Sequence, residues 1–491
     1  MARRITRKLS AAPLEPEGPA QLKLSFSTDN PLGENLRRGE FSVLVEVNAP
    51  PREQPFEPAV AVAERMAREI RDVPWATGMA VTDRLRSEDC YDAASLVGLL
   101  ATASGKPVLM HLSGKGSDKA RVQEMLARGL SAGARSLLAV TGDRSDKHPA
   151  PHGLARNPPH PVGYFDSVET LHTAAASGHG FLLGAGVNPF KYNVADQCLQ
   201  RYKMVRKLAT GAQFLVTHAG WDMKKLQELQ WFLQMRQVDV PVIARVALLS
   251  GDQIRALQDD VFPGVFLSRT FASVLQRESE INDTQSLAAQ LQRLGLQVAG
   301  CRLLGYSGVQ VVGVRDERTL AMVLKRIDEA LAAFTSYPEW VAAWTEHHMS
   351  MEFSPLAGVY YGFPNLLTPQ HQFYEAGATV VSRALPLPSR GDRRRSTALR
   401  LCLSRVAPEF VKKAGVGVLA RGWTARRDRL AYTFHLSPEA CPKRLVFGAC
   451  GGAGADGTCE FGGARCFFHR VLAIAARRGR LDRLEQGLTG D

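Results

Sequence analysis

The sequence predicts an alternating α/β fold, a (β/α)8 TIM barrel followed by a small cysteine-rich metal-binding domain, and three observations carry that prediction. Short apolar runs rich in β-branched residues alternate with helical patterns from about residue 41 to residue 335, as strands buried on both faces of a parallel sheet would. Most of these runs end, on their C-terminal side, in a polar residue: Glu46, Asp83, His111, Asp143, Asn188 and His218. When successive strands are parallel such ends converge on one rim, where barrels of this kind build their sites. Finally, Cys441, Cys450, Cys459 and Cys466 crowd into one segment beyond the alternating pattern, whereas Cys90, Cys198, Cys301 and Cys402 are scattered. An open doubly wound sheet is the alternative, but no GxGxxG follows a strand; GAGVNP at 184–189 lacks the third glycine and runs into a proline.

Taken in order, residues 1–35 have a basic start and then a Pro-, Glu- and Gly-rich composition, which predicts a flexible arm with at most a short ordered piece. The first strand, FSVLVEVNAPP, is stopped by Pro50 and Pro51, which cannot donate to a ladder, so Glu46 falls where strand gives way to loop. FEPAVAVAERMAREIRD then repeats apolar positions at helical spacing. The strand before Asp83, the helix DAASLVGLLATA, the strand ending HLS and the helix DKARVQEMLARGLSAG follow, the last stopped near Gly133. SLLAVTGD is the fourth strand, and the Pro- and His-rich stretch 148–163 after it is a long loop of the kind that carries function. DSVETLHTAAA, GFLLGAGVN, VADQCLQRYKMVRKLATG, AQFLVTHAG, KKLQELQWFLQMR and VPVIARVAL continue the alternation. A helical stretch near 272–297, the strand GVQVVGV and the helix ERTLAMVLKRIDEAL complete an eighth unit. The barrel is therefore expected over 36–335, an aromatic- and Pro-rich connector over 336–394, and a separate cysteine-rich domain over 395–491.

A chain of 491 residues is too long for one ordinary core. Its 45% apolar and 22% charged residues are those of a soluble globular protein. No apolar run reaches the roughly 20 residues that cross a bilayer, and no apolar region follows the basic start, so a cytoplasmic location without membrane attachment is expected. The net charge of +13 resides largely in Arg-rich pieces at 391–397 and 476–483, which read as a solvated basic surface; no nucleic-acid module accompanies them and none is expected as a partner. Four clustered cysteines in a cytoplasmic chain point to metal rather than disulfides. Closed four-thiolate shells favour structural zinc, with an iron–sulfur cluster as the alternative.

The carboxylate ahead of a Pro-Pro pair, the HLS at His111, the TGD at Asp143 and the GAQFLVTH segment, in that order at strand ends, resemble the methylenetetrahydrofolate reductase family. The CPK, CGG and DGTCE segments around the clustered cysteines resemble the C-terminal domain attached to some members. The resemblance implies an FAD-dependent oxidoreductase interconverting 5,10-methylenetetrahydrofolate and 5-methyltetrahydrofolate, with NAD(P)H or a redox protein as electron partner, within the one-carbon metabolism that feeds methionine biosynthesis. Glu46 matches the family's acid, and a part-apolar setting is expected to favour its protonated form. His111, Ser113, Thr141, Gly142, Asp143, Asn188 and Lys207 match positions at the flavin, with Asp143 also touching the folate. His218 stands where the family characteristically has a glutamine on the pterin, and Arg245 where it usually has a glycine lining the site; both are expected at the substrate. Three residues, Val47 to Ala49, separate Glu46 from the prolines where many members have two. A pterin-binding methyltransferase and a non-catalytic barrel subunit docking a redox partner are the alternative readings, and a homo-oligomer is open.

Overall fold

The structure, a computed structural model, describes residues 30–83, 89–144, 163–259, 262–370, 385–402 and 427–488; nearly all of the expected long loop at 148–163 lies outside them. The chain enters through α1 (Pro31–Arg38), which the Asn30 side chain caps by accepting from the Gly33 N–H and which Gly39 ends with φ 71°. This is the ordered piece expected in the arm, and it continues past residue 35. Eight parallel strands follow, alternating with helices: β1 (Ser42–Asn48), α2 (Phe56–Arg71), β2 (Ala76–Thr82), α3 (Ala93–Ser104), β3 (Val108–Ser113), α4 (Lys119–Ser131), β4 (Ser136–Val140), α5 (Ser167–Ala176), β5 (Leu182–Val187), α6 (Val194–Ala209), β6 (Phe214–Ala219), α7 (Met223–Met235) and β7 (Val242–Ala247). After α8 (Gly251–Gln258), the expected helical stretch before the last strand is two helices, α9 (Arg269–Ile281) and α10 (Asp283–Leu303), because Asn282 is extended at φ −173° and caps α10 by accepting from Gln285. Then come β8 (Gly308–Val312) and α11 (Glu317–Ala333). Because β1 pairs with both β2 and β8, the sheet is closed and the predicted (β/α)8 barrel is the fold.

Helices start where short polar side chains offer an acceptor. Asp92, Asp118, Asn193 and Asp222 each cap the helix that follows, and Asp166 forms a reciprocal capping box with Glu169. Outside the strands, helix residues such as Leu96, Val122, Leu226 and Val323 form one large apolar core with the outward-facing strand residues.

Inside the barrel the period-two geometry of strands sorts the residues into layers. Leu44, Leu109, Leu138, Leu182, Phe214 and Ile243 form an apolar plug at the lower end, against which Leu32 and Leu36 of α1 pack. Gly184 makes room for that plug, since a Cβ there would lie 2.3 Å from the Phe214 ring. One step of two residues further along, Leu44 gives way to Glu46, Leu109 to His111 and Ile243 to Arg245. The upper layer is polar because the sequence changes character at the same height on three strands.

Beyond the barrel, α12 (Tyr337–His347) buries Trp340 and Tyr337 against the core, and α13 (Arg390–Cys402) runs across the expected boundary at 395. The C-terminal region, 427–488, consists of short helical turns, loops and α14 (Phe467–Arg477). Its core of Phe434, Leu445, Phe468, Val471 and Leu472 includes Ala195 and Leu199 from α6, so it is seated on the barrel. Among the described residues, no helix is long and apolar enough to cross a membrane.

Candidate active site at the C-terminal rim of the barrel

Glu46 lies at the end of β1, 4% exposed, and both of its carboxylate oxygens accept hydrogen bonds. Thr82 Oγ1 donates to Oε1 at 2.5 Å, Arg245 Nη2 to the same oxygen at 2.6 Å, and Gln310 Nε2 to Oε2 at 2.5 Å. Burial alone would raise the Glu46 pKa, but Arg245, His111 and the hydrogen bonds from Thr82 and Gln310 outweigh it and hold the carboxyl below its ordinary value. The expectation of a protonated Glu46 in a part-apolar setting is thereby corrected: the inward residues of β7 and β8 supply a cation and an amide, and the group rests as a carboxylate. Arg245, expected at the substrate, pairs with Glu46 and also lines the cavity above.

Around this pair the donors and acceptors do not all find partners. Arg245 Nε, Gln310 Oε1 and His218 Nδ1 are buried with no hydrogen bond. Buried polar atoms are ordinarily satisfied; of these three residues, Arg245 and His218 also line the cavity above, so hydrogen-bonding capacity is left next to it. His111 approaches Gln310 at 3.3 Å. Burial, partly offset by Glu46, brings the His111 pKa down to about 4; burial and the cation of Arg245 bring His218 to about 3. Both rings are neutral at ordinary pH and offer one donor and one acceptor nitrogen each.

Above lies a cavity of about 520 Å³, within the size range of pockets that bury a small organic molecule. Every residue expected at cofactor or substrate on the barrel lines it: Glu46, His111, Ser113, Thr141, Gly142, Asp143, Asn188, Lys207, His218 and Arg245. Asp143 accepts from Lys115 Nζ at 2.8 Å; burial raises its pKa despite that cation. Gly142 turns the chain at φ 87°, where a Cβ would lie 2.5 Å from Ser113 Oγ. Lys207 donates to the Gly186 carbonyl at 2.5 Å, and burial, with Lys203 nearby, brings its pKa down to about 7. Asn188 Nδ2 bridges the carbonyls of Gly264 and Gly451 at 2.9 and 3.0 Å. Trp221, Phe262 and Leu249 supply apolar surface to the same cavity. The residues present therefore fit an aromatic heterocycle with hydrogen-bonding edges, and Thr141, Asp143 and Lys207 are those that could hold a nucleotide cofactor beside it.

Reading the sequence missed Thr82, Gln310, Lys115, Lys443 and Glu460. Gln310 was visible in principle, as a polar residue inside the apolar strand GVQVVGV. Lys443 and Glu460 belong to the C-terminal region and reach the cavity only through its docking. Of the clustered cysteines, Cys441 and Cys466 are in the buried core of that region and Cys450 and Cys459 pack against it. The Cys450 thiol is turned to Glu460 Oε1, 3.0 Å away, and among the described residues no three His, Cys, Asp or Glu side chains converge to hold a metal ion. The donors are chemically suited to zinc, but as directed here they do not make the expected closed shell.

A closed parallel barrel with a polar, partly unsatisfied cluster at the C-terminal ends of its strands is the architecture of a small-molecule enzyme site. Comparison with known proteins makes this specific. The family model for methylenetetrahydrofolate reductase matches residues 32–282, just over half of the chain, and that for the methylene-tetrahydrofolate reductase C terminal matches residues 428–489. The chain belongs to the methylenetetrahydrofolate reductase family. No curated protein matches it. Among solved structures, it is similar to an uncharacterized protein from Clostridium thermocellum that binds two copies of 5-methyl-5,6,7,8-tetrahydrofolic acid, at 12% identity and TM-score 0.46 over 62% of this chain and 99% of that one. It is also similar to Yersinia pestis DHPS, solved with a pterine-sulfa conjugate, at 13% identity and TM-score 0.34 over 60% and 94% of the two chains.

Proposed function

We propose that this chain is an FAD-dependent oxidoreductase that interconverts 5,10-methylenetetrahydrofolate and 5-methyltetrahydrofolate, the reduced pterin lying in the barrel cavity. The observation that carries the reading is the cluster of Glu46, Arg245 and His218, with Gln310 behind it, lining a cavity large enough for a bicyclic ring. A pterin presents ring nitrogens, an amino group and a carbonyl along one edge, and such an edge pairs with carboxylate, amide and neutral imidazole groups. Family membership supports the same substrate class.

FAD, when bound, would supply the hydride acceptor or donor, and Thr141, Asp143 and Lys207 are the residues that would hold it. What the chain itself must do is manage a proton. Opening the methylene ring requires a proton on the folate nitrogen, and closing it releases one. Glu46 is the group placed to exchange that proton. As a resting carboxylate it is already the base that ring closure needs; in the opening direction it must first take up a proton, which weakens its pairing with Arg245. His111 and His218, neutral throughout, orient the ligand and carry no charge into the site.

The test is Glu46→Gln in the FAD-loaded protein, with the two half-reactions followed separately by anaerobic stopped-flow absorbance. Reduction of flavin by NADH or NADPH should change little, while exchange with the folate should slow about 10²- to 10⁴-fold. Wild-type protein that takes up no FAD and binds no folate would overturn the reading. Folate binding without flavin uptake would overturn the oxidoreductase reading and leave the methyltransferase alternative.

A further inference from the structure

Four residues of the C-terminal region, Lys443, Cys450, Gly452 and Glu460, line the same cavity as the barrel's strand ends. Lys443 is 3% exposed, an expensive place for an ammonium unless it is fully paired. Its Nζ donates to the Gly142 carbonyl at 2.6 Å and pairs with Glu460 Oε1 at 2.5 Å, and it lies 4.9 Å from the centre of the Tyr164 ring. Glu460 in turn accepts the Arg144 N–H at 3.1 Å, and its own carbonyl accepts from Arg144 Nη1 at 3.0 Å. The two residues thus grip the chain on both sides of Asp143, at Gly142 and at Arg144. Tyr164 holds Asp143 itself, donating from its hydroxyl to the Asp143 carbonyl at 2.9 Å. The turn is committed by Gly142, whose positive φ and lack of space for a Cβ allow no other residue without strain.

We infer that the C-terminal region is a wall of the barrel's ligand site, and that Lys443 and Glu460 are positioning residues that set Asp143 toward the ligand through Gly142 and Arg144. This rests on the proposal that a reduced folate binds in the cavity, with Asp143, one of the residues that would hold FAD, accepting from the pterin edge as well. The charged groups acting on Asp143 are Lys115 from the barrel and Lys443 and Glu460 from the C-terminal region. Lys443 favours its ionised form and Glu460 opposes it.

The two variants that break the same ion pair should therefore act in opposite directions. With full-length protein, the affinity for 5-methyltetrahydrofolate is measured by calorimetry from pH 5 to 8 for wild type, Lys443→Met, Lys443→Arg and Glu460→Gln, with thermal unfolding of each as a check on folding. Lys443→Met should move the acid limb of binding up by roughly one pH unit and Glu460→Gln should move it down, the effect expected of a neighbouring charge. At pH 7, Lys443→Met should bind about tenfold more weakly, as for one lost hydrogen bond, and Lys443→Arg should recover most of the loss. Ionisation of the ligand is common to all four proteins and cancels in the comparison. Limbs that shift together, or not at all, in folded variants of a wild type that binds would overturn this inference and leave the proposed function standing. A wild type that does not bind would overturn both.

Discussion

Two buried ionic clusters, one in the barrel floor and one where α6 meets the C-terminal region, are made of similar residues and differ in how completely they are satisfied. At the α6 interface, Lys203 pairs with Asp166 at 3.0 Å and donates to the Gly448 carbonyl, while Arg206 donates to the carbonyls of Phe447, Arg483 and Gln486. No side-chain atom of Asp166, Lys203 or Arg206 is left buried without a partner. In the floor, Glu46 is saturated but Arg245, Gln310 and His218 each keep an unpaired buried atom. A cluster that satisfies itself holds two parts of the protein together. A cluster that keeps unpaired atoms next to a cavity has hydrogen-bonding capacity left for a ligand, and here that sets the barrel site apart from the docking interface.

Breaking the saturated cluster should have the largest effect. Asp166 is fully buried and its ordinary pKa is lowered: burial pushes upward, but Lys203, the Val168 N–H and Lys207 outweigh it. Lys203→Met removes that carboxylate's ion-pair partner, leaving it the Val168 N–H and the nearby Lys207, and frees the Gly448 carbonyl, and should cost roughly 3–5 kcal/mol of stability. Because Gly448 belongs to the C-terminal region, limited proteolysis should cut that region early while the barrel stays resistant. Denaturant unfolding followed by tryptophan fluorescence gives the magnitude, and a loss confined below about 0.5 kcal/mol, the level of an ordinary surface change, would show that the interface does not depend on this pair.

The unsaturated cluster should respond less in stability and more in pH dependence. Arg245 is partly open to the cavity, with 18% of its side chain exposed, and Glu46 keeps Thr82 and Gln310 after its loss, so Arg245→Met should cost about 1–3 kcal/mol at pH 7. In the wild type the Glu46 pKa is lowered from 4.5 in the folded state. Its contribution is therefore fully present above about pH 4.5 and is lost as the pH falls through the folded value. Without the guanidinium, burial becomes the dominant influence and raises the pKa. Glu46 in the variant then contributes stability at low pH and loses it as the pH rises through the folded value, reversing the sign of the dependence. Stability measured from pH 4 to 7 in both proteins decides this, and parallel curves would mean that Arg245 does not govern Glu46.

The contrast also explains what could be read from the sequence. Strand ends are legible because buried parallel strands are apolar on both faces and stop where polar residues or prolines begin, so Glu46, His111, Asp143, Asn188 and His218 were found without coordinates. Helix starts are legible because Asp92, Asp118 and Asp166 cap them locally. What escaped is what depends on closure. Glu46 and Arg245 are separated by 199 positions in sequence and meet only because β7, β8 and β1 are neighbours in a closed sheet, so the charge state of Glu46 could not be judged from its own strand. Lys443 and Glu460 escaped for the same reason, since a cysteine-rich segment reads as a module until its docking onto α6 is seen.

The smallest expected effect concerns the two histidines of the floor, and it tests whether the unsaturated cluster recognises its ligand by hydrogen bonds alone. The resemblance expects a glutamine at position 218, and the imidazole found there invites the idea of a pH switch near neutrality. The environment argues otherwise: burial leads, Arg245 adds to it, and the His218 pKa falls to about 3, with His111 at about 4. Neither ring takes a proton between pH 5.5 and 8. The neutral ring and a glutamine amide both present one donor and one acceptor, so His218→Gln should keep 5-methyltetrahydrofolate affinity within about tenfold, the worth of a single hydrogen bond. The ratio of the two affinities should also stay constant across that pH range. A ratio that changes through pH 6 to 7 would mean that His218 titrates in the free protein, that solvent reaches the floor of the barrel, and that the orphaned Nδ1 is satisfied by water rather than reserved for a ligand.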